Sequence, residues 1–357
     1  MLSREISVLV VDDSAFSRRT IEKMLEKIRN VRVIGTSTDG ENAIKKVFQL
    51  KPDLITLDLE MPKMDGFTFL RIIMSQMPTP VLVVSSLKGD ENVFKALELG
   101  AADFILKPTS GASVQLLDIE NELARKVVAI SQISMENLQN ISCGKTEEPV
   151  KENEEISCEE DVDVIAIGAS TGGPSAIQYL LEAIPERFPT SLIISQHMPE
   201  GFTKSFAERL NKNSKITVKE AEKYDKIQKG IAFIAPGGYH MKLQKDSSGI
   251  VVDIIRKNSS DKYTPSVDVM FSSSASVVKN KLVGIVLTGM GSDGKRGVCD
   301  IKENGGFVIA ESKDSAIVYG MPHEAVKTGV VDKVIPLSKI RDEILSIGNK
   351  IKKRVLS

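Results

Sequence analysis

The sequence predicts an α/β fold in two domains, and three observations predict it. Short β-type runs alternate with helical periodicity, chemically capable residues fall just after the apolar runs, and an acidic stretch without periodicity divides the chain near its middle. Alternation of this kind builds βα units around parallel sheets, whose carboxyl edges collect ligands. At 357 residues the chain also exceeds what one core usually carries.

In the first domain, apolar runs at 6–11, 32–35, 54–57, 80–84 and 103–106 read as strands. Helical spacing at 14–28, 40–50, 65–76 and 91–98 supplies the intervening helices. A further helix over 113–135, with Val114, Leu117, Leu123, Val127 and Ile130 on one face, closes this domain (1–125) and runs into a connecting segment (126–161). That segment contains "ENLQNISCGKTEEPVKENEEISCEED", with eight acids between Glu147 and Asp161, and reads as a linker. The second domain (162–350) resumes the alternation, with strands near 162–167, 191–196, 231–235, 282–287 and 306–309. A second α/β domain with a mainly parallel sheet is expected, and no internal repeat relates it to the first.

Composition narrows the function classes. Lys+Arg 47 against Asp+Glu 48 leaves a formal net charge of -1, and the positive charges are scattered, which argues against nucleic acid as a partner. Three cysteines without CxxC or metal-ligand spacing suit a reducing, cytoplasmic interior. The first apolar run is too short for a signal peptide and none later reaches membrane-spanning length, so no direct membrane insertion is expected.

Asp12 and Asp13 end the first strand, Asp58 the third, Ser85 the fourth and Lys107 the fifth. Carboxylates so close cannot all stay ionised without a cation, and an all-oxygen set suits Mg²⁺ better than zinc. The metal would neutralise a phosphoryl group delivered to Asp58, with Lys107 and Ser85 gripping its oxygens. Taken singly, each acid could be a helix cap or turn former. Together, "VVDDS", "LDLEMPKMDG" and "LKP" resemble the response-regulator receiver domains of two-component signalling over residues 4–125. The resemblance implies strand order 2-1-3-4-5, phosphorylation at Asp58, metal binding by Asp12, Asp13, Asp58 and the Glu60 carbonyl, and Ser85 with Lys107 as switch residues.

In the second domain, Gly168-Ala169-Ser170-Thr171-Gly172 matches G-x-S-x-G, the elbow that presents a serine hydroxyl past a sheet edge. The same glycines could cradle a phosphate at a helix N-terminus, and the motif alone leaves the two readings level. An activated serine needs a base, and the chain offers three histidines. His197 directly follows the run "SLIISQ" and falls on the same edge as Ser170 if the strands are parallel. His240 and His323 read as structural, the latter near a helix start. Asp293, in "LTGMGSDG", follows another apolar strand and would orient the imidazole, while neighbouring glycines make the Met290 amide an oxyanion donor.

Ser, His, Asp is not the chain order of α/β-hydrolases. "GASTGGP", "SQHMP", "IAPGGYHM" and "LTGMGSDG" instead resemble the chemotaxis protein-glutamate methylesterase family (CheB), over residues 162 to about 330. That resemblance implies Ser170 as nucleophile, His197 as base, Asp293 as its orienting partner and the Met290 amide at the oxyanion site. It implies demethylation of glutamate methyl esters on methyl-accepting chemotaxis receptors, deamidation of receptor glutamines, and activation by phosphate from a chemotaxis histidine kinase. Two rival outputs for the receiver are a non-catalytic module binding nucleotide through "GASTGG" and a DNA-binding domain, for which no helix-turn-helix is visible.

Overall fold

The structure, a computed structural model, describes residues 5–85, 90–107, 113–131, 133, 135–137, 162–258 and 261–356. Pro108 and the acidic stretch from Glu147 to Asp161 lie outside the described residues. The chain divides into two compact units, Met1–Cys143 and Gly144–Ser357.

In the first unit, β1 (Ile6–Val11), β2 (Val31–Ser37), β3 (Leu54–Asp58), β4 (Val81–Ser85) and β5 (Asp103–Leu106) form a wholly parallel sheet in the order 2-1-3-4-5. Helices α1 (Ala15–Glu26), α2 (Gly40–Leu50), α3 (Gly66–Gln76), α4 (Asp90–Glu98) and α5 (Ser113–Ile130) complete it. Every residue of β3 and β4 is buried, as strands covered on both faces must be. Ser14, Asp39 and Asp65 cap α1, α2 and α3 by accepting the amide three residues on. Only three residues separate β1 from α1, which fixes Asp12 and Asp13 at the sheet edge.

The second unit is built on seven parallel strands: β6 (Val164–Ala169), β7 (Ser191–Gln196), β8 (Thr217–Glu220), β9 (Ile231–Ile234), β12 (Leu282–Val286), β13 (Phe307–Glu311) and β14 (Lys333–Ile335). Their order is 14-13-12-6-7-9-8. An antiparallel hairpin of β10 (Tyr239–Asp246) and β11 (Gly249–Arg256) stands apart. The helices are α6 (Gly173–Ala183), α7 (Phe202–Asn213), α8 (Val267–Val278), α9 (Lys295–Glu303), α10 (Met321–Val326) and α11 (Leu337–Leu356). Phe233, Met241, Val252, Phe271 and Ile301 share one core, so the hairpin and α8 pack together with the sheet. Gly168 permits a close approach here. A Cβ on it would lie 2.3 Å from Val267 Cγ1, so its absence lets the N-terminus of α8 rest on β6.

β8, the hairpin and β14 escaped the sequence reading. β8 and β14 have four and three residues at the sheet's two edges, too short for a pattern to emerge. The hairpin's β10 breaks its apolar residues with Lys242, Gln244 and Lys245, and both strands end in exposed polar residues or charge, so neither strand gives a clean period. The helix expected over 113–135 ends at Ile130.

Candidate active site and phosphoacceptor site

Both candidate sites lie where parallel strands end. In the first unit, one carboxylate oxygen each from Asp12, Asp13 and Asp58 lies within 4.8 Å of the others. Asp12 and Asp58 are buried and Asp13 is exposed. Asp12 is oriented by the Ser17 hydroxyl at 2.6 Å and the Ser14 amide at 2.8 Å. Lys107 Nζ donates to Asp58 at 2.5 Å and stands 3.7 Å from Asp12. The Glu60 amide donates to Asp58 at 3.2 Å. Burial pushes the Asp58 carboxyl up to about 6; Lys107 partly offsets this, and the Asp12 charge adds to it. A carboxylate cluster short of positive charge, reached by solvent at Asp13, fits a hard divalent cation. Asp58, Glu60, Ser85 and Lys107 also line one small cleft with Leu59 and Asn92. Asn92 was not singled out from sequence, because α4 carries it there from elsewhere in the chain.

In the second unit, β6 and β7 are neighbours with Ala169 opposite Gln196, so Ser170 and His197 are the next positions past adjacent strands. The His197 amide bonds the Ala169 carbonyl at 3.1 Å, continuing the ladder. β12 flanks β6 on its other side and feeds the loop that carries Met290 and Asp293. His197 Nε2 lies 2.7 Å from Asp293 Oδ2. A carboxylate only accepts, so Nε2 donates its N–H to Asp293, and Nδ1 is the ring nitrogen that this contact leaves unused. Ser170 Oγ is not hydrogen-bonded to that nitrogen in this structure.

Asp293 is 3 % exposed and almost saturated. Besides His197 it accepts the Ser266 hydroxyl and the amides of Val267, Asp268 and Gly294, at 2.7 to 3.2 Å. Three of these donors belong to the cap and first turn of α8. Burial alone would raise its pKa, but the His197 hydrogen bond and charge, with the α8 amides, hold it below the usual carboxylate range.

Three parts of this site are not visible in the sequence. Gln196 donates its side-chain amide to the carbonyls of Ser170 and His197, at 2.9 and 3.0 Å, tying the two strand ends together. Tyr263 stacks on the His197 ring, 4.8 Å between centroids and 7° from parallel. The loop bearing it is held by Asp261, which meets His240 Nε2 at 2.8 Å and accepts the Asn258 amide at 2.7 Å. The only available signal was a polar residue ending "SLIISQ". His240 thus has a structural contact, and His323 lies in α10, tilted against Tyr319.

The Met290 loop touches the elbow: a Cβ on Gly289 would lie 2.8 Å from that of Ser170. Ser170 and Gly173 have already spent their amides on the Thr288 and Ser170 carbonyls, which leaves a poor phosphate cradle. No partner within the protein takes the Met290 or Thr171 amide among the described residues.

Fold and site define a receiver domain joined to an α/β domain equipped for acyl transfer. Residues 165–344 match the CheB methylesterase family, and residues 8–117 match the response regulator receiver domain. A protein-glutamate methylesterase/protein-glutamine glutaminase 3 of Geobacter sulfurreducens is 45 % identical over 360 residues, covering 96 % of this chain and 97 % of its own. One from Pyrococcus abyssi is 38 % identical over 97 % of this chain and 94 % of its own. The CheB methylesterase catalytic domain of Thermotoga maritima superposes with a TM-score of 0.51 at 36 % identity, covering 53 % of this chain and all of that one. The chain belongs to the CheB methylesterase family. No helix among the described residues is long and apolar enough to cross a membrane.

Proposed function

We propose that this protein is a phosphorylation-activated protein-glutamate methylesterase and glutaminase acting on chemoreceptors, with Ser170, His197 and Asp293 as its triad. The observation that carries the reading is the imidazole held through Nε2 by a saturated carboxylate, one register position from the elbow serine. On binding of the ester, a Ser170 side-chain rotation brings Oγ to His197 Nδ1. Oγ attacks the γ-carbonyl carbon as its proton passes to Nδ1, and the oxyanion falls to the Met290 amide. The imidazolium returns the proton to the leaving methoxide, which departs as methanol. Water, activated by the same nitrogen, then releases glutamate and regenerates Ser170. A glutamine amide follows the same path with ammonia leaving. The Tyr263 face beside the ring supports the imidazolium as it forms.

In the receiver, Asp58 accepts a phosphoryl group from a histidine kinase, and Asp12, Asp13, Asp58 and the Glu60 carbonyl would hold Mg²⁺. The ion supplies charge neutralisation at the phosphoryl oxygens when bound. Lys107 and Ser85 contact those oxygens, and the acylphosphate raises the hydrolase activity. The protein works in the cytoplasm.

Mass spectrometry of methylated receptor peptides tests the reading. Exposure to the phosphorylated protein removes methyl groups from glutamate esters, and Ser170→Ala reduces that rate at least about 10³-fold. Unchanged methylation with the intact protein would refute the activity; substantial turnover by Ser170→Ala would refute the nucleophile.

A further inference from the structure

Glu311 ends β13 and is completely buried, at 0 % exposure. It belongs to no step described above. Its Oε2 accepts the Thr288 amide at 2.7 Å, and its Oε1 accepts the Ser315 hydroxyl at 2.8 Å. No cation pairs with it among the described residues. An acid in such a place is costly to bury, and burial pushes its carboxyl up to about 7.

What Glu311 holds is a junction. The Thr288 carbonyl accepts the Ser170 amide at 3.0 Å, and its hydroxyl donates to the Thr171 carbonyl at 2.9 Å while accepting the Val318 amide at 2.9 Å. Thr288 therefore ties the elbow to the loop whose next residues are Gly289, packed on Ser170, and Met290. Every hydrogen-bonding group of Thr288 is engaged, and Glu311 supplies the partner for its N–H.

We propose that Glu311 is a positioning residue for the hydrolysis: by holding the Thr288 amide it sets the Met290 amide against the Ser170 hydroxyl. The proposal rests on the triad reading given above. It requires an acceptor at this point rather than a charge, because an N–H can be satisfied by a carboxamide as well as by a carboxylate. Misplacing an oxyanion donor by about 1 Å costs about 10²-fold in rate, so the effect belongs in kcat rather than in KM.

The test measures kcat and KM for a peptide γ-glutamyl methyl ester with the full chain, normalised to folded protein by circular dichroism. Labelling of Ser170 by a fluorophosphonate provides a second rate. Glu311→Ala is expected to lower kcat and labelling about 10- to 100-fold with KM unchanged, and Glu311→Gln to recover kcat to within about threefold. A merely structural role would lower the melting temperature and leave kcat per folded molecule unmoved. Should Glu311→Ala not fold, Glu311→Asp serves, since its shorter side chain withdraws the acceptor from Thr288. Wild-type kcat in the folded Ala or Asp variant overturns the proposal, as does a Gln variant no better than these. Ser170→Ala is run alongside: turnover surviving there sinks the triad itself, whereas an inactive Ser170→Ala beside a fully active Glu311→Ala sinks only the role of Glu311.

Discussion

Asp58 and Asp293 are both buried carboxylates at the carboxyl edge of a parallel sheet, yet their surroundings drive them in opposite directions. Asp58 faces a second buried acid and has one lysine and one amide for company, and its pKa rises. Asp293 accepts five hydrogen bonds, three from the start of a helix, and its pKa falls. Depth of burial is nearly the same in the two cases. What differs is how many donors the fold aims at each oxygen. The first arrangement leaves an acid with two donors on its oxygens, which gains from a cation. The second fixes a charge that does nothing except hold an imidazole.

That contrast can be broken most severely at the saturated acid. Asp293→Asn should lower kcat for ester hydrolysis about 10²- to 10⁴-fold, because a carboxamide can turn its NH₂ toward His197 and reverse the tautomer. Steady-state kinetics decide this, with circular dichroism to confirm the fold. In the receiver, chelating Mg²⁺ with EDTA should abolish phosphorylation of Asp58 by acetyl phosphate and leave basal hydrolysis intact; phosphate incorporation that ignores EDTA would remove the cation from the account.

A third buried acid extends the comparison to pH. Glu311 rises from 4.5 to about 7, so the folded state binds the proton more tightly than the unfolded state does. Its contribution favours folding at low pH and is lost as pH climbs from about 4.5 to about 7, by about 3 kcal/mol in total. Urea unfolding of the second unit should therefore show the stability of the native chain falling relative to Glu311→Gln across that window and running parallel to it above. The smallest effect is at the ring face: Tyr263→Ala should cost about 3- to 10-fold in kcat, and Tyr263→Phe almost nothing. Equal losses in the two variants would assign the role to the hydroxyl instead of the stack.

The two sites were not equally legible in the sequence. The receiver's chemical groups each end a strong apolar run, so once the strands were placed, Asp12, Asp58, Ser85 and Lys107 had to share an edge. Ser170 and His197 followed by the same logic, and Asp293 by its position after β12. Gln196 could have been noticed as a polar end to a buried strand. Tyr263 could not. It stands in a stretch without periodicity, 66 positions from His197 (263 − 197), and only the fold of residues 261–265 lays it on the ring. Thr288 and Glu311 are similarly silent, because a buried acid on a strand announces no partner until its neighbours are known.

By itself the sequence determined the elements, their alternation and the edge on which the reactive residues would gather, since periodicity and strand-end position are local properties of a chain. Tertiary structure alone decided which donors each acid receives, which ring nitrogen of His197 meets Asp293 and what ties the Met290 loop to Ser170. Those depend on distances of a few ångströms between residues remote in sequence, and electrostatics at that range is set by packing.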